Sequence, residues 1–128
     1  MAVIQPLAAH AIILFAHGSR DPLWRKPIEA VASRIMQLSL GALVRCAYLE
    51  LMAPDLLSCV SELTAAHAKS ITILPMFLGV GKHVREDMPG LIASIRQVHP
   101  AVRFTLLPPV GEDERLIDLL AHMALSAA

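Results

Sequence analysis

Aromatic side chains are scarce. One Trp, one Tyr and three Phe make up 4% of the 128 residues. So few rings argue against a base-stacking platform for single-stranded nucleic acid. An excess of charge of either sign is also missing, because Lys plus Arg and Asp plus Glu number 11 each. No net basic field exists to hold nucleic acid or an anionic membrane surface, so neither is expected as a partner. Cysteine occurs only at Cys46 and Cys59, a spacing that fits no zinc or redox pair. Both lie in apolar segments and read as buried reduced thiols, which implies a reducing cytoplasm. No Gly-x-Gly-x-x-Gly follows an apolar run, and no Gly-Lys-Ser/Thr loop occurs. The stretch "GVGKH", 79–83, has two glycines and a lysine but no hydroxyl after the lysine. A nucleotide cofactor is therefore not expected. Ser19 lacks the Gly-x-Ser-x-Gly elbow of an esterase.

Hydrophobic residues are abundant, at 55%. A chain of this size buries roughly two thirds of its unfolded surface, enough for one core. One domain spanning 1–128 is expected, with 1–10 as an N-terminal extension. The opening "MAVIQPLAAHAIILFA" is apolar, but it carries no basic segment and contains Pro6. It reads as neither a signal peptide nor a membrane span.

Apolar runs alternate with helical patterns. Strands are expected over 11–17, 42–51, 70–78 and 102–110. Helical spacing follows each one: 22–40, a second helix opened by Pro54, 84–98, and 112–124. Pro89 and Gly90 predict a break in the third helix. In the fourth, Leu116, Ile117, Leu119, Leu120 and Met123 are expected to face inward. Four βα units imply an α/β fold with a four-stranded parallel sheet covered by helices on both faces. The order 2-1-3-4 would make the first and third strands neighbours. Four units are also only half of a larger doubly wound domain.

In such a sheet, ligands bind beyond the carboxyl ends of the strands. The first strand delivers His17, Gly18, Ser19 and Arg20. The second delivers Tyr48, Leu49 and Glu50. The third delivers Met76, Phe77, Lys82 and His83. Two histidines and a carboxylate thus meet on one edge. Imidazole suits cobalt, iron, nickel and zinc, and two or three protein ligands leave coordination positions open. Taken singly, each residue has an ordinary explanation. A strand-end histidine is usually solvated or hydrogen-bonded, Glu50 could cap a helix or pair with Arg20, and Met76 and Phe77 could be core. Ser19 or Asp21 could cap the helix that Pro22 begins. His10, His67, His99 and His122 read as surface or boundary residues. The convergence at one edge is what points to chemistry.

The segments "ILFAHGSRDP", "CAYLELMAPDL" and "ILPMFLGVGKHVREDMPGLI" resemble the small sirohydrochlorin cobaltochelatases, the CbiX-type class II chelatases. The resemblance covers about 11–123, through a His-Gly-Ser turn and a distant Gly-x-His-x-x-x-Asp-x-Pro segment. It implies a chelatase-like half-domain that pairs with a second copy to form a cleft. It implies insertion of a divalent metal substrate, Co²⁺ or else Fe²⁺ or Ni²⁺, into a modified tetrapyrrole without ATP. His17 and His83 match the family's two metal-binding histidines, and Glu50 matches the acidic residue ending the second strand. His17, His83 and Glu50 are the expected catalytic set. Ser19, Arg20, Arg25, Lys26, Lys82 and Arg85 are candidates for the substrate's carboxylates. Leu49, Met76, Phe77 and Leu78 are candidates for its apolar wall. A non-catalytic metal or tetrapyrrole carrier on the same fold is the alternative, and an anion site at a helix N-terminus is a third.

Overall fold

In a computed structural model that describes residues 10–127, four parallel strands alternate with four helices. The strands are β1 (His10–Ala16), β2 (Leu43–Tyr48), β3 (Ser70–Pro75) and β4 (Arg103–Leu106). The helices are α1 (Lys26–Leu38), α2 (Leu56–Ala65), α3 (Lys82–Val98) and α4 (Glu114–Ser126). The strand order is β2-β1-β3-β4, as expected. The register sets Leu14 beside both Cys46 and Leu74, and Phe15 beside both Ala47 and Pro75, so β2, β1 and β3 end nearly level.

Alternation along each strand divides the core in two. On one face Ala11, Ile13, Phe15, Ala47, Ile71, Ile73 and Phe104 pack with Leu56, Cys59, Val60 and Leu63 of α2 and Ile92 and Ile95 of α3. On the other, Leu14 and Val44 pack with Ala32 of α1, flanked by Ile28, Val31, Ile35, Cys46 and Leu74. Both cysteines are free thiols. Burial pushes the Cys59 thiol up to about 11, and the Cys46 thiol up as well.

Several boundaries differ from the sequence reading. β1 is shifted by one residue, and β2, β3 and β4 are shorter than expected, because backbone pairing ends where apolar composition continues into loops. The segment expected as one helix over 22–40 is a 3-10 turn, Pro22–Arg25, capped by the Asp21 carboxylate, followed by α1. The second helix starts not at Pro54 but after Asp55, whose side chain accepts from the Ser58 N–H. α3 runs unbroken through Pro89 and Gly90. Both are exposed, so the Arg85 carbonyl that loses its donor faces water, while Ile92 and Ile95 hold the buried side. The fourth helix does not face inward: α4 has no buried residue. Periodicity identified its apolar stripe but could not say what the stripe meets.

The expected extension, 1–10, lies outside the described residues except for His10. That residue is half-buried, as a boundary histidine is. It opens β1, with Nδ1 at 2.6 Å from the Ser70 hydroxyl and Nε2 at 3.2 Å from that of Thr72. Among the described residues no helix is long and apolar enough to cross a membrane.

Candidate metal and substrate site

β1 ends at Ala16, and the ladder continues through one more bond on each side. Leu49 N–H donates to the Ala16 carbonyl at 2.8 Å and Met76 N–H to the Phe15 carbonyl at 2.7 Å. His17 is therefore delivered to the carboxyl edge by a fully paired central strand. Its ring lies against Phe77, centroids 4.6 Å apart. Its carbonyl accepts the Trp24 indole N–H at 2.7 Å. Its Nδ1 stands 3.4 Å from the Glu50 carboxylate, with the two side chains 44% and 43% exposed. The pair is wet enough to exchange protons with solvent and held enough to have a fixed direction. A carboxylate at Nδ1 favours the proton there and leaves Nε2 as the free donor atom.

Glu50 is fixed from below. Met52 N–H donates to the Glu50 carbonyl at 2.9 Å, closing a three-residue turn with Leu51 at φ 68°. Leucine in this left-handed region is strained, a recurring feature of functional loops. Gly18 meets the same carbonyl. A Cβ on Gly18 would fall inside the van der Waals radius of the Glu50 oxygen, so only glycine lets the two strand-end loops touch.

Glu50 also joins the two histidines into one rim. With His83, Asp87, Leu49, Met88 and Leu91 it lines a cavity of about 460 Å³. His83 is the second residue of α3, and Gly81 precedes that helix in extended backbone. Among the described residues no three His, Cys, Asp or Glu side chains gather closely enough to form a ready-made metal cage. The donors form an open set, which leaves coordination positions for an incoming ligand.

The other expected residues divide. Leu49 lines the cavity, and Phe77 is buried beneath His17. Met76 packs toward α1 rather than with Phe77, because neighbouring residues of an extended chain point to opposite faces. Leu78 is exposed. The Ser19 hydroxyl accepts from the Asp21 N–H at 3.0 Å and so shapes its own turn. Arg25 lies over the Tyr48 ring, 5.6 Å from its centroid, and reaches the Ala53 carbonyl at 3.4 Å. Arg85 donates to the Val80 carbonyl at 2.9 Å. Arg20, Lys26 and Lys82 are exposed. Glu50 pairs with His17 rather than with Arg20. Two residues were not singled out from sequence. Trp24 lies in the segment expected as a helix over 22–40, and nothing in sequence marks its indole for the His17 carbonyl seven residues back. Asp87 entered only as the Asp of the Gly-x-His-x-x-x-Asp-x-Pro segment, with no role given, although its i,i+4 spacing from His83 on one helix was a signal.

The fold has solved and curated relatives. The solved CbiX protein of Marinobacter aquaeolei VT8 is 31% identical, with a TM-score of 0.76 over 93% of this chain and 99% of that one. The cobalt complex of the sirohydrochlorin chelatase SirB from Bacillus subtilis subspecies spizizenii shares the fold at 24% identity and a TM-score of 0.70. This chain spans 50% of it. Among curated relatives, the sirohydrochlorin cobaltochelatase of Saccharolobus solfataricus is 29% identical over 85% of this chain and 88% of its own length. That of Methanococcus aeolicus is 25% identical over 89% and 96%. The CbiX family model matches residues 11–127, a span that holds every strand-end residue described above except the first of β1, and the chain therefore belongs to the CbiX family.

Proposed function

We propose that this protein inserts a divalent metal, Co²⁺ in preference to Fe²⁺ or Ni²⁺, into sirohydrochlorin without a nucleotide. The observation that carries the reading is the His17–Glu50 pair on one rim with His83, in a chain of the CbiX family. Curated relatives of matching length bear the name sirohydrochlorin cobaltochelatase.

The chemistry follows from the rim. Metal insertion needs a partly dehydrated M²⁺ delivered to the macrocycle and two pyrrole N–H protons removed. His17 offers Nε2 to the metal, with its orientation set by Trp24, Phe77 and Glu50. Glu50, half exposed beside it, accepts a proton and passes it to water. His83 supplies the second imidazole from across the cavity, and Asp87 adds negative charge that favours the dication there. Leu49, Met88 and Leu91 give the flat ring an apolar wall. Arg20, Lys26 and Lys82 remain candidates for the peripheral carboxylates, with Arg25 and Arg85 partly engaged by backbone carbonyls.

The reading includes a homodimer, since four βα units build one side of a cleft. Specific interfaces of this kind bury about 1,200–2,000 Å². It also places the reaction in the reducing cytoplasm, where Cys46 and Cys59 would stay thiols. The test is anaerobic incubation of the protein and sirohydrochlorin with Co²⁺, Fe²⁺ or Ni²⁺, followed by absorbance. Turnover above the uncatalysed rate supports a chelatase. Stoichiometric binding without turnover would make the protein a carrier instead.

A further inference from the structure

A dication that enters a tetrapyrrole displaces two pyrrole N–H protons, and both must go somewhere. Glu50 provides for one. It already stands beside the His17 ring, 3.4 Å from Nδ1, and once protonated it must exchange with water before it can act again. A second carboxylate facing the same ring would remove that wait. Several acidic side chains are engaged elsewhere. Asp21, Asp55 and Asp113 cap helical turns. Glu62 pairs with Arg45, and Asp118 with His122. Asp87 has no ion-pair partner among the described residues, His83 included. It is also the acidic side chain that lines the rim cavity together with Glu50 and His83.

Local structure does not explain an aspartate here. α3 begins at Lys82 and has no acidic residue in its first turn. Asp87 lies beyond that turn, too far along to cap the helix or to meet its N-terminal dipole. Inside a helix, aspartate is a poor former, because its carboxylate competes for backbone groups. The pattern of the helix sharpens the point. Val84, Asp87, Met88 and Leu91 fall at i, i+3, i+4 and i+7 and so share one stripe. Val84, Met88 and Leu91 are half-buried and pack against the core. Asp87 is exposed. All four line the same cavity. The apolar wall thus carries one carboxylate, at a position where the stripe would accept another apolar side chain.

We propose that Asp87 is the second proton acceptor of metal insertion. The role rests on the proposed chelatase activity and completes its proton balance. As the metal substrate bonds to the ring nitrogens, it draws electron density from them and makes the remaining N–H groups more acidic. Two N–H bonds break and metal–nitrogen bonds form in their place. One proton goes to Glu50 and the other to Asp87. Both carboxylic acids then return their protons to water, and no oxidant or reductant takes part. The two acceptors come from different walls of the cavity, Glu50 from the loop after β2 and Asp87 from α3, so each can serve a different nitrogen. Asp87 is exposed, which lets its proton leave by exchange with solvent.

The test uses the full chain and Asp87→Asn, which keeps shape and removes the base. Anaerobic Co²⁺ insertion into sirohydrochlorin should lose on the order of 100-fold in kcat, the lower end of what a positioned base supplies. KM for Co²⁺ should rise only a few-fold, the effect of losing one exposed charge. Sodium formate, a small carboxylate, should restore kcat of Asp87→Asn in proportion to its concentration and leave wild type unchanged. Glu86→Gln, next to it on α3 but outside the cavity, should keep the wild-type rate. Formate rescue is read on the folded protein, so it decides the matter even where Asp87→Asn lowers the thermal midpoint. A raised KM with unchanged kcat would overturn the proposal and leave Asp87 as a charge that attracts the dication. So would a loss of kcat that formate does not repair. Wild type without insertion would remove the chelatase and this role together, whereas full insertion by Asp87→Asn would remove this role alone.

Discussion

At the scale of single residues, the rim depends on a few fixed contacts. Glu50→Gln keeps shape and removes charge. If the carboxylate takes the pyrrole proton and orients His17, insertion should slow by at least about tenfold, within the range general acid–base groups supply. Tetrapyrrole binding, measured by fluorescence quenching, should persist. An unchanged rate would reduce Glu50 to a partner of no catalytic consequence. His17 was legible because a buried apolar run stops abruptly at an imidazole. Gly18 was legible only in part. It reads as turn relief, whereas its larger service is to let the Glu50 carbonyl approach. The strained Leu51 turn and the Trp24 bond had no signature, because no residue type at those positions marks a leucine for positive φ or an indole for a carbonyl seven residues back.

At the scale of elements, the caps and the helix interior carry measurable consequences. Gly90 sits inside α3 with nothing within 4 Å of where its Cβ would be. Gly90→Ala should stabilise the protein by about 0.5–1 kcal/mol, raising the thermal midpoint by roughly 2–4 °C. A lower midpoint would show that α3 needs its flexible position. Asp55→Ala removes the cap of α2 and should cost about 1 kcal/mol at neutral pH. The Ser58 hydrogen bonds hold the Asp55 carboxyl below its usual range. A lowered folded pKa gives stability that is present above the unfolded value, about 3.9, and is lost as pH falls through the folded one. The gap between wild type and Asp55→Ala should therefore be widest near neutral pH and shrink below about pH 4. A gap that does not change with pH would mean the cap acts through something other than its charge. Sequence located every strand and helix by apolar period. It misjudged their ends, because pairing and caps decide ends while composition runs past them. The expected break at Pro89 failed for a related reason: packing of Ile92 and Ile95 outweighs one missing hydrogen bond whose acceptor faces water.

At the scale of the whole molecule, four βα units with right-handed crossovers leave few ways to order a sheet, and 2-1-3-4 followed from placing both histidines beyond the ends of neighbouring strands. What the sequence could not convey is that α4 would bury none of its residues, since a stripe of leucines has the same pattern whatever it meets. The central claim is that two histidines on this rim carry metal insertion and little of the stability. Both lie outside the core, so replacing either should change stability within about 0.5 kcal/mol. Removing one donor from so open a site should cost on the order of 100-fold in rate, the loss seen when a positioned catalytic group goes. The most direct test is the initial rate of anaerobic Co²⁺ insertion into sirohydrochlorin by wild type, His17→Ala and His83→Ala, each beside its thermal midpoint. The account predicts rapid insertion by wild type and near-loss in both variants at unchanged midpoints. Wild-type rates in either variant, or unfolding in place of lost activity, would contradict it.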